Sequence, residues 1–142
     1  MATLSRINWD PIYSVHVEVL DAQHRKLFEA VNRLINVFES GSGDFLPTIK
    51  DLVDYLSVHF HQEHMVMRNA NYPNFLSHSK EHQKFTEKIK GFLEEYKEGD
   101  ENLGQNMVVF LKDWVRDHTK ILDVQYGEYL LKHATKFKQP QK

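Results

Sequence analysis

The sequence predicts an all-α protein, an up-down-up-down four-helix bundle preceded by an extended arm. Three observations carry that expectation. Four long segments step their apolar residues by three and four, which places them on one helix face. Short breaks separate the segments: GSGD at 41–44, NANYPN at 69–74 and EGDENLG at 98–104. Short connections make successive helices antiparallel neighbours. The 142 residues fit one domain, with a core large enough to fold without staples.

The arm is expected over residues 1–20. Pro11 resists an early helix start, and Val15, Val17 and Val19 alternate with the period of an extended strand. The bundle is expected over 21–133. Asp21 is placed to cap a first helix running to about Ser40, with an inward stripe of His24, Leu27, Phe28, Val31, Leu34, Ile35 and Phe38. A second helix, from about 45 to 69, carries Leu52, Leu56, His59, Glu63 and Val66 on its stripe. A third, from about 74 to 98, carries His78, His82, Phe85, Ile89, Phe92 and Tyr96. A fourth, from about 102 to 131, carries Met107, Phe110, Leu111, Trp114, His118, Ile121 and Leu122. Residues 134–142 read as a basic, polar, frayed tail.

Composition narrows the function classes. Cysteine is absent, which removes disulfides, thiol chemistry and Cys-type zinc sites. A net charge of −2 argues against nucleic acid as a partner. No apolar run approaches the roughly 20 residues that span a bilayer, so no membrane insertion is expected. The opening residues, MATLSRINWD, have no apolar stretch like a signal peptide's. The expectation is a cytoplasmic monomer.

The nine histidines are the outstanding count, and helix geometry sorts them. In HFHQEH, residues 59–64, His59 and Glu63 are four apart and stand on the apolar stripe. His61 and His64 fall on a stripe with Asp54, Ser57 and Arg68, polar throughout, and are expected to face solvent. A rival reading lets His61 and His64 clip a surface metal, though no partner from elsewhere is visible. His133 reads as a surface residue near the end of the last helix, favourable to its dipole when protonated.

The inward polar residues are the informative ones. A buried glutamate without a partner costs several kcal/mol or takes up a proton. One inward histidine is ordinarily a satisfied core residue. Here every helix brings at least one: His24, His59 with Glu63, His78 with His82, and His118. Metal ions would offset the buried charge. Five imidazoles and a carboxylate exceed the needs of one four-coordinate zinc and suit two octahedral ions with shared groups.

From Trp9 to about Tyr129 the chain resembles the hemerythrins of the bacterial single-domain kind. The matching pieces are LDAQH at 20–24, HFHQE at 59–63, YP at 72–73, HSKEH at 78–82 and WVRDHTKILD at 114–123. The resemblance implies two non-haem iron ions joined by an oxo or hydroxo group. It assigns His78, His82 and His118 to one iron, His24 and His59 to the other, and Glu63 and Asp123 as bridges. Asp123 comes from the resemblance alone, because five residues past His118 is about 140° around an ideal helix. The three-histidine iron then has six ligands, and the two-histidine iron keeps one open position for end-on dioxygen. Positions matching the pocket around it are Leu27, Phe60, Trp114, Leu122 and Tyr126, which ordinary core packing would equally explain.

The implied role is oxygen storage or delivery to an oxygen-using enzyme, rather than catalysis. The chain contains no Glu-x-x-His motif of the carboxylate-rich diiron oxygenases. Diiron enzymes and oxygen or redox sensors are the alternatives. The chain departs from the family at His64, often a glutamate there, and at His16, often a glycine.

Overall fold

A computed structural model describes residues 4–41, 43–97 and 99–133. These form helix α1 over Glu18–Ser40, α2 over Phe45–Asn69, α3 over Phe75–Glu95 and α4 over Glu101–His118. A π-helical turn, Thr119–Asp123, continues α4 directly into α5, Val124–Lys132. There is no strand among the described residues. α1 packs on α2 and α4, and α3 packs on α2 and α4, so chain neighbours are spatial neighbours around a four-helix bundle. Among the described residues, no helix is long and apolar enough to cross a membrane.

The expected stripes are the core. Leu52, Leu56, His59, Glu63 and Val66 are all buried on α2, and His78, His82, Phe85 and Ile89 are buried on α3. Ile121 is the exception. It is 57% exposed, because the π turn inserts one residue and rotates it off the α4 stripe.

The first helix starts earlier than expected, at Glu18, and Asp21 does not cap it. Asp21 lies one turn inside, buried, and accepts from Ser14 Oγ at 2.6 Å and Val15 N at 2.8 Å. It therefore pins the arm, and its buried charge is met by two donors. The arm runs antiparallel to α1. Arg6 pairs with Glu39 at 2.8 Å, Ile7 N donates to Asn32 Oδ1 at 2.9 Å, and Arg25 covers Trp9 at 4.9 Å. Lys112 on α4 donates to Ser5 Oγ at 3.0 Å, so the arm lies over the α1–α4 seam.

Near the end of the arm, Gly127 is required by close approach. A Cβ there would meet Val15 Cα at 2.5 Å. His16 sits in the left-handed region at φ 61°, which favours glycine, and its Nε2 is 3.6 Å from Glu128 Oε1. His133 is half-buried rather than free on the surface. It stacks on Tyr129 at 4.1 Å, with Nδ1 2.9 Å from the Tyr129 carbonyl. The expected tail, 134–142, lies outside the described residues.

Two apolar clusters fill the interior. The larger includes Leu27, Phe28, Leu56, Phe60, Phe85, Leu111 and Val115. The smaller joins the arm to the other end of the bundle through Val15, Val17, Leu20, Val66, Met67, Tyr72, Tyr126 and Leu130. On α2, His59 and Glu63 stand between Leu56 of the first cluster and Val66 of the second. A polar layer is thereby sealed between two apolar ones, which raises the cost of any charge left unmatched there.

Candidate metal centre

The polar layer draws one or two side chains from each of α1, α2, α3 and α4, and one from the π turn. Its ligand-type atoms fall into two groups, each within 4.8 Å: Glu63, His78, His82, His118 and Asp123 in one, His24, His59, Glu63 and Asp123 in the other. All are buried, and the two carboxylates belong to both groups.

Each carboxylate divides its oxygens between the groups. Glu63 turns Oε1 to His82 Nε2 at 3.4 Å, and Oε2 to His24 at 3.1 Å and His59 at 3.3 Å. Asp123 turns Oδ1 to His78 at 3.0 Å and His118 at 3.2 Å, and Oδ2 to His24 at 3.3 Å. The imidazoles of the first group also converge on one another. His118 Nε2 is 2.9 Å from His82 Nε2 and 3.2 Å from His78 Nε2.

The sequence offered no periodic reason for Asp123 to join this set. The π turn supplies it. One inserted residue makes the five-residue step from His118 behave like a four-residue step, so both side chains share a face. π turns inside α-helices concentrate at functional sites. Nothing in the composition of TKILD marks the insertion. The only sequence signal was an aspartate out of register with a histidine.

The electrostatics fit cations. Every ion pair of Glu63 and Asp123 among the described residues is to an imidazole, never to Lys or Arg. Among the described residues, Glu63 Oε1 and Asp123 Oδ1 are buried with no hydrogen bond, although imidazole nitrogens lie within 3.4 Å. Nitrogen lone pairs and carboxylate oxygens aimed at a common point without hydrogen-bond angles are a ligand set's arrangement.

The titrations show the same demand for positive charge. Burial opposes protonation of His24, but its hydrogen bonds to Asp123 and Glu63 and their negative charge outweigh it and raise its pKa to about 10. Burial pushes His82 down to about 2 against the pull of Glu63. Burial and Asp123 would raise Glu63, yet the imidazoles of His59 and His24 hold it well below the usual carboxylate range. Without metal, this layer draws His24 and His78 toward protonation and keeps His82 from it. Divalent ions resolve both demands.

The residues around the centre differ from expectation. Phe60 stacks on His82 at 3.8 Å and 9°, and Trp114 stacks on His118 at 4.2 Å and 12°. Leu27 is buried one turn past His24. Tyr126 is not a plain wall, because its hydroxyl donates to Glu63 Oε2 at 2.5 Å. Leu122 is half-buried and lines an open outer groove of about 530 Å³ with Trp114, His118 and Ile121. The π turn carries it there, out of the interior.

The expectation for His61 and His64 holds for one of them. His61 is exposed. His64 is half-buried, and its Nε2 lies 2.9 Å from His82 Nδ1. The polar stripe hid this because His64 reaches sideways to α3, with its ring edge on Phe75 at 5.5 Å. Sequence reasoning also missed Gln23. Its Oε1 is 2.7 Å from His59 Nδ1, and its Nε2 donates to Gln62 Oε1. Its only sequence signal was adjacency to His24.

The chain is similar to known proteins over most of its length. The family model described as the hemerythrin HHE cation binding domain matches residues 15–130. A bacteriohemerythrin of Methylococcus capsulatus is 28% identical over 119 residues, covering 83% of this chain and 91% of the relative. A hemerythrin-like protein of Naegleria gruberi is 30% identical over 122 residues, 86% of this chain and 92% of the relative. A myohemerythrin of Theromyzon tessulatum is 31% identical over 118 residues, 83% of this chain and 88% of the relative.

Proposed function

This chain belongs to the hemerythrin family, and we propose on that footing that it holds two non-haem iron ions and binds dioxygen at them reversibly, for storage or for delivery to an oxygen-using enzyme. The observation that carries this reading is the unequal pair of ligand groups sharing Glu63 and Asp123. His78, His82 and His118 hold one ion, and His24 and His59 hold the other. Both carboxylates bridge.

When iron is bound, the ion held by two histidines would have fewer protein ligands than the one held by three, and would be the one free to take dioxygen. The pair supplies, when bound, the two electrons that dioxygen accepts on binding and returns on release. The protein's own part is positioning and exclusion. Glu63 and Asp123 hold the two sites at one spacing through opposite oxygens of each carboxyl group. Tyr126 fixes Glu63 by its hydroxyl and stays un-ionised, since burial and the neighbouring carboxylates raise its pKa well above the usual phenol range. Leu27, Leu56, Phe60 and Val115 are buried around the layer and exclude the water and protons that promote irreversible oxidation. Imidazole-rich ligation donates less negative charge than the carboxylate sets of diiron oxygenases, which favours release over oxidation of a substrate.

Metal analysis joined to an oxygen titration tests the reading. The expected result is about two irons per chain, uptake of about one dioxygen per iron pair by reduced protein, and return of the visible spectrum on degassing. One zinc with no iron, or a spectrum that never returns, would overturn it.

A further inference from the structure

Two imidazoles of the layer meet a side-chain partner through the nitrogen that points away from it, and each belongs to a different ligand group. His59 Nδ1 meets Gln23 Oε1 at 2.7 Å, and His82 Nδ1 meets His64 Nε2 at 2.9 Å. A neutral imidazole that ligates through Nε2 carries its proton on Nδ1 and must donate it. Both partners therefore accept. For Gln23 this agrees with its amide nitrogen donating to Gln62 Oε1, which turns the carbonyl toward His59. For His64 it fixes a neutral ring with its own proton on Nδ1. That ring lies near-parallel to His82 at 5.0 Å and 18°, and Phe75 packs edge-on against it. By contrast, His24 Nδ1 is buried with no hydrogen-bond partner.

The common feature of the two acceptors is that neither is charged. Metal-bound histidines often donate to a carboxylate, which orients the ring and also makes it a more basic ligand. A more basic ligand stabilises the higher oxidation state of the metal it binds. An amide or a neutral imidazole gives the same orientation without that push. In a sealed layer that already holds two carboxylates, a further negative charge would act at low dielectric on the nearest ion.

We propose that Gln23 and His64 are positioning residues, one for each metal, that fix His59 and His82 in the ligating tautomer through uncharged acceptors and so keep the bound irons easy to hold in the reduced state. This deepens the iron-based reading and rests on it for the redox half alone. The orienting half applies to any divalent ion that these imidazoles take.

Paired substitutions separate the two effects. His64→Leu and Gln23→Leu remove the acceptor. Cobalt(II) bound to these variants should be stripped by a chelator 10- to 100-fold faster than from the parent protein. His64→Gln restores an uncharged acceptor and should return both metal retention and midpoint potential toward the parent. His64→Glu and Gln23→Glu keep an acceptor but add charge. They should retain metal and move the ferric–ferrous equilibrium at least tenfold toward ferric, a fall of about 59 mV per electron in the midpoint potential.

Leucine variants that hold cobalt as tightly as the parent would overturn the orienting role. If they do not fold, failure of His64→Gln to match the parent in cobalt retention overturns it instead. Glutamate variants with native iron content and an unmoved potential would overturn the charge role. Should the protein take no iron at all, the family-based reading fails while the cobalt measurements still decide the orienting role.

Discussion

The two ends of the metal layer are built differently. At the three-histidine end, aromatic rings lie flat against the imidazoles: Phe60 on His82 at 9° and Trp114 on His118 at 12°. Tyr126 adds an edge contact to His78 at 5.3 Å. At the two-histidine end, His24 and His59 meet each other edge to face at 4.6 Å, and among the described residues no ring lies flat on either. Flat stacking fixes the planes of these two imidazoles, which suits a site that holds its ion closely. The other end has the aliphatic Leu27 as its near neighbour along α1, and aliphatic walls leave room beside an open position. On the diiron reading proposed above, the stacked end is the one suited to hold its ion and the other the one suited to exchange a ligand.

The largest effects should come from the groups that the ends share. Glu63→Ala or Asp123→Ala removes an oxygen from both sites, so purified protein should fall from about two irons to near none by elemental analysis. His59→Ala touches one end only. About one iron should remain, and oxygen uptake should be lost with it. Equal loss in His59→Ala and Glu63→Ala would mean the ends do not act separately.

Proton coupling gives a second, smaller handle on the same comparison. Metal-free His24 has a pKa raised to about 10 by Asp123 and Glu63, so it is protonated at neutral pH and must lose that proton to ligate. Raising the pH therefore favours metal binding. Affinity should climb about tenfold per pH unit between pH 7 and 9 at the site that includes His24, read by metal titration in buffers of different pH. At the other end His82, pushed to about 2, is already neutral across that range, whereas His78, raised by Asp123, adds a dependence of its own. A flat profile would show that His24 carries no proton for the metal to displace.

How much was legible in the sequence follows the same division of causes. Stripe periodicity read correctly for His24, His59, Glu63, His78, His82 and His118, all of them buried on regular α-helix. It was blind at the π turn, where one extra residue brings Asp123 in and sends Ile121 and Leu122 out. It misread His64, because a stripe records direction from the helix axis while a long side chain beside a neighbouring helix can reach across. It misread Asp21 for another reason. A carboxylate near a helix start is a good cap by type, but here the arm folds back and offers it two donors. Single-helix patterns carry no information about that return.

The pocket residues permit a finer contrast. Leu27 is 2% exposed beside the two-histidine end, whereas Leu122 is half-buried in the outer groove. Leu27→Ala should open a cavity, cost about 2–5 kcal/mol and shorten the lifetime of the oxygenated protein, followed by the decay of its visible absorption. Leu122→Ala should cost under about 1 kcal/mol and leave that lifetime unchanged. A shortened lifetime in Leu122→Ala alone would place the route of solvent at the groove end.

The smallest expected effect is the most discriminating test of the π turn. An inserted residue can be present for its own contacts or only as a change of register. Ile121 is exposed in the turn, 57% open, as is Lys120, so removing it sacrifices little packing. Deleting it leaves four residues from the His118 position to the Asp123 position, the step that an ordinary α-helix places on one face. Residues on either side of the turn then keep their mutual orientation, including Tyr126 toward Glu63 and Gly127 against the arm. The deletion should retain about two irons per chain with no fall in melting temperature. If iron is lost while helicity by circular dichroism is unchanged, the widened turn itself sets the reach of the Asp123 carboxylate, and its geometry belongs to the site.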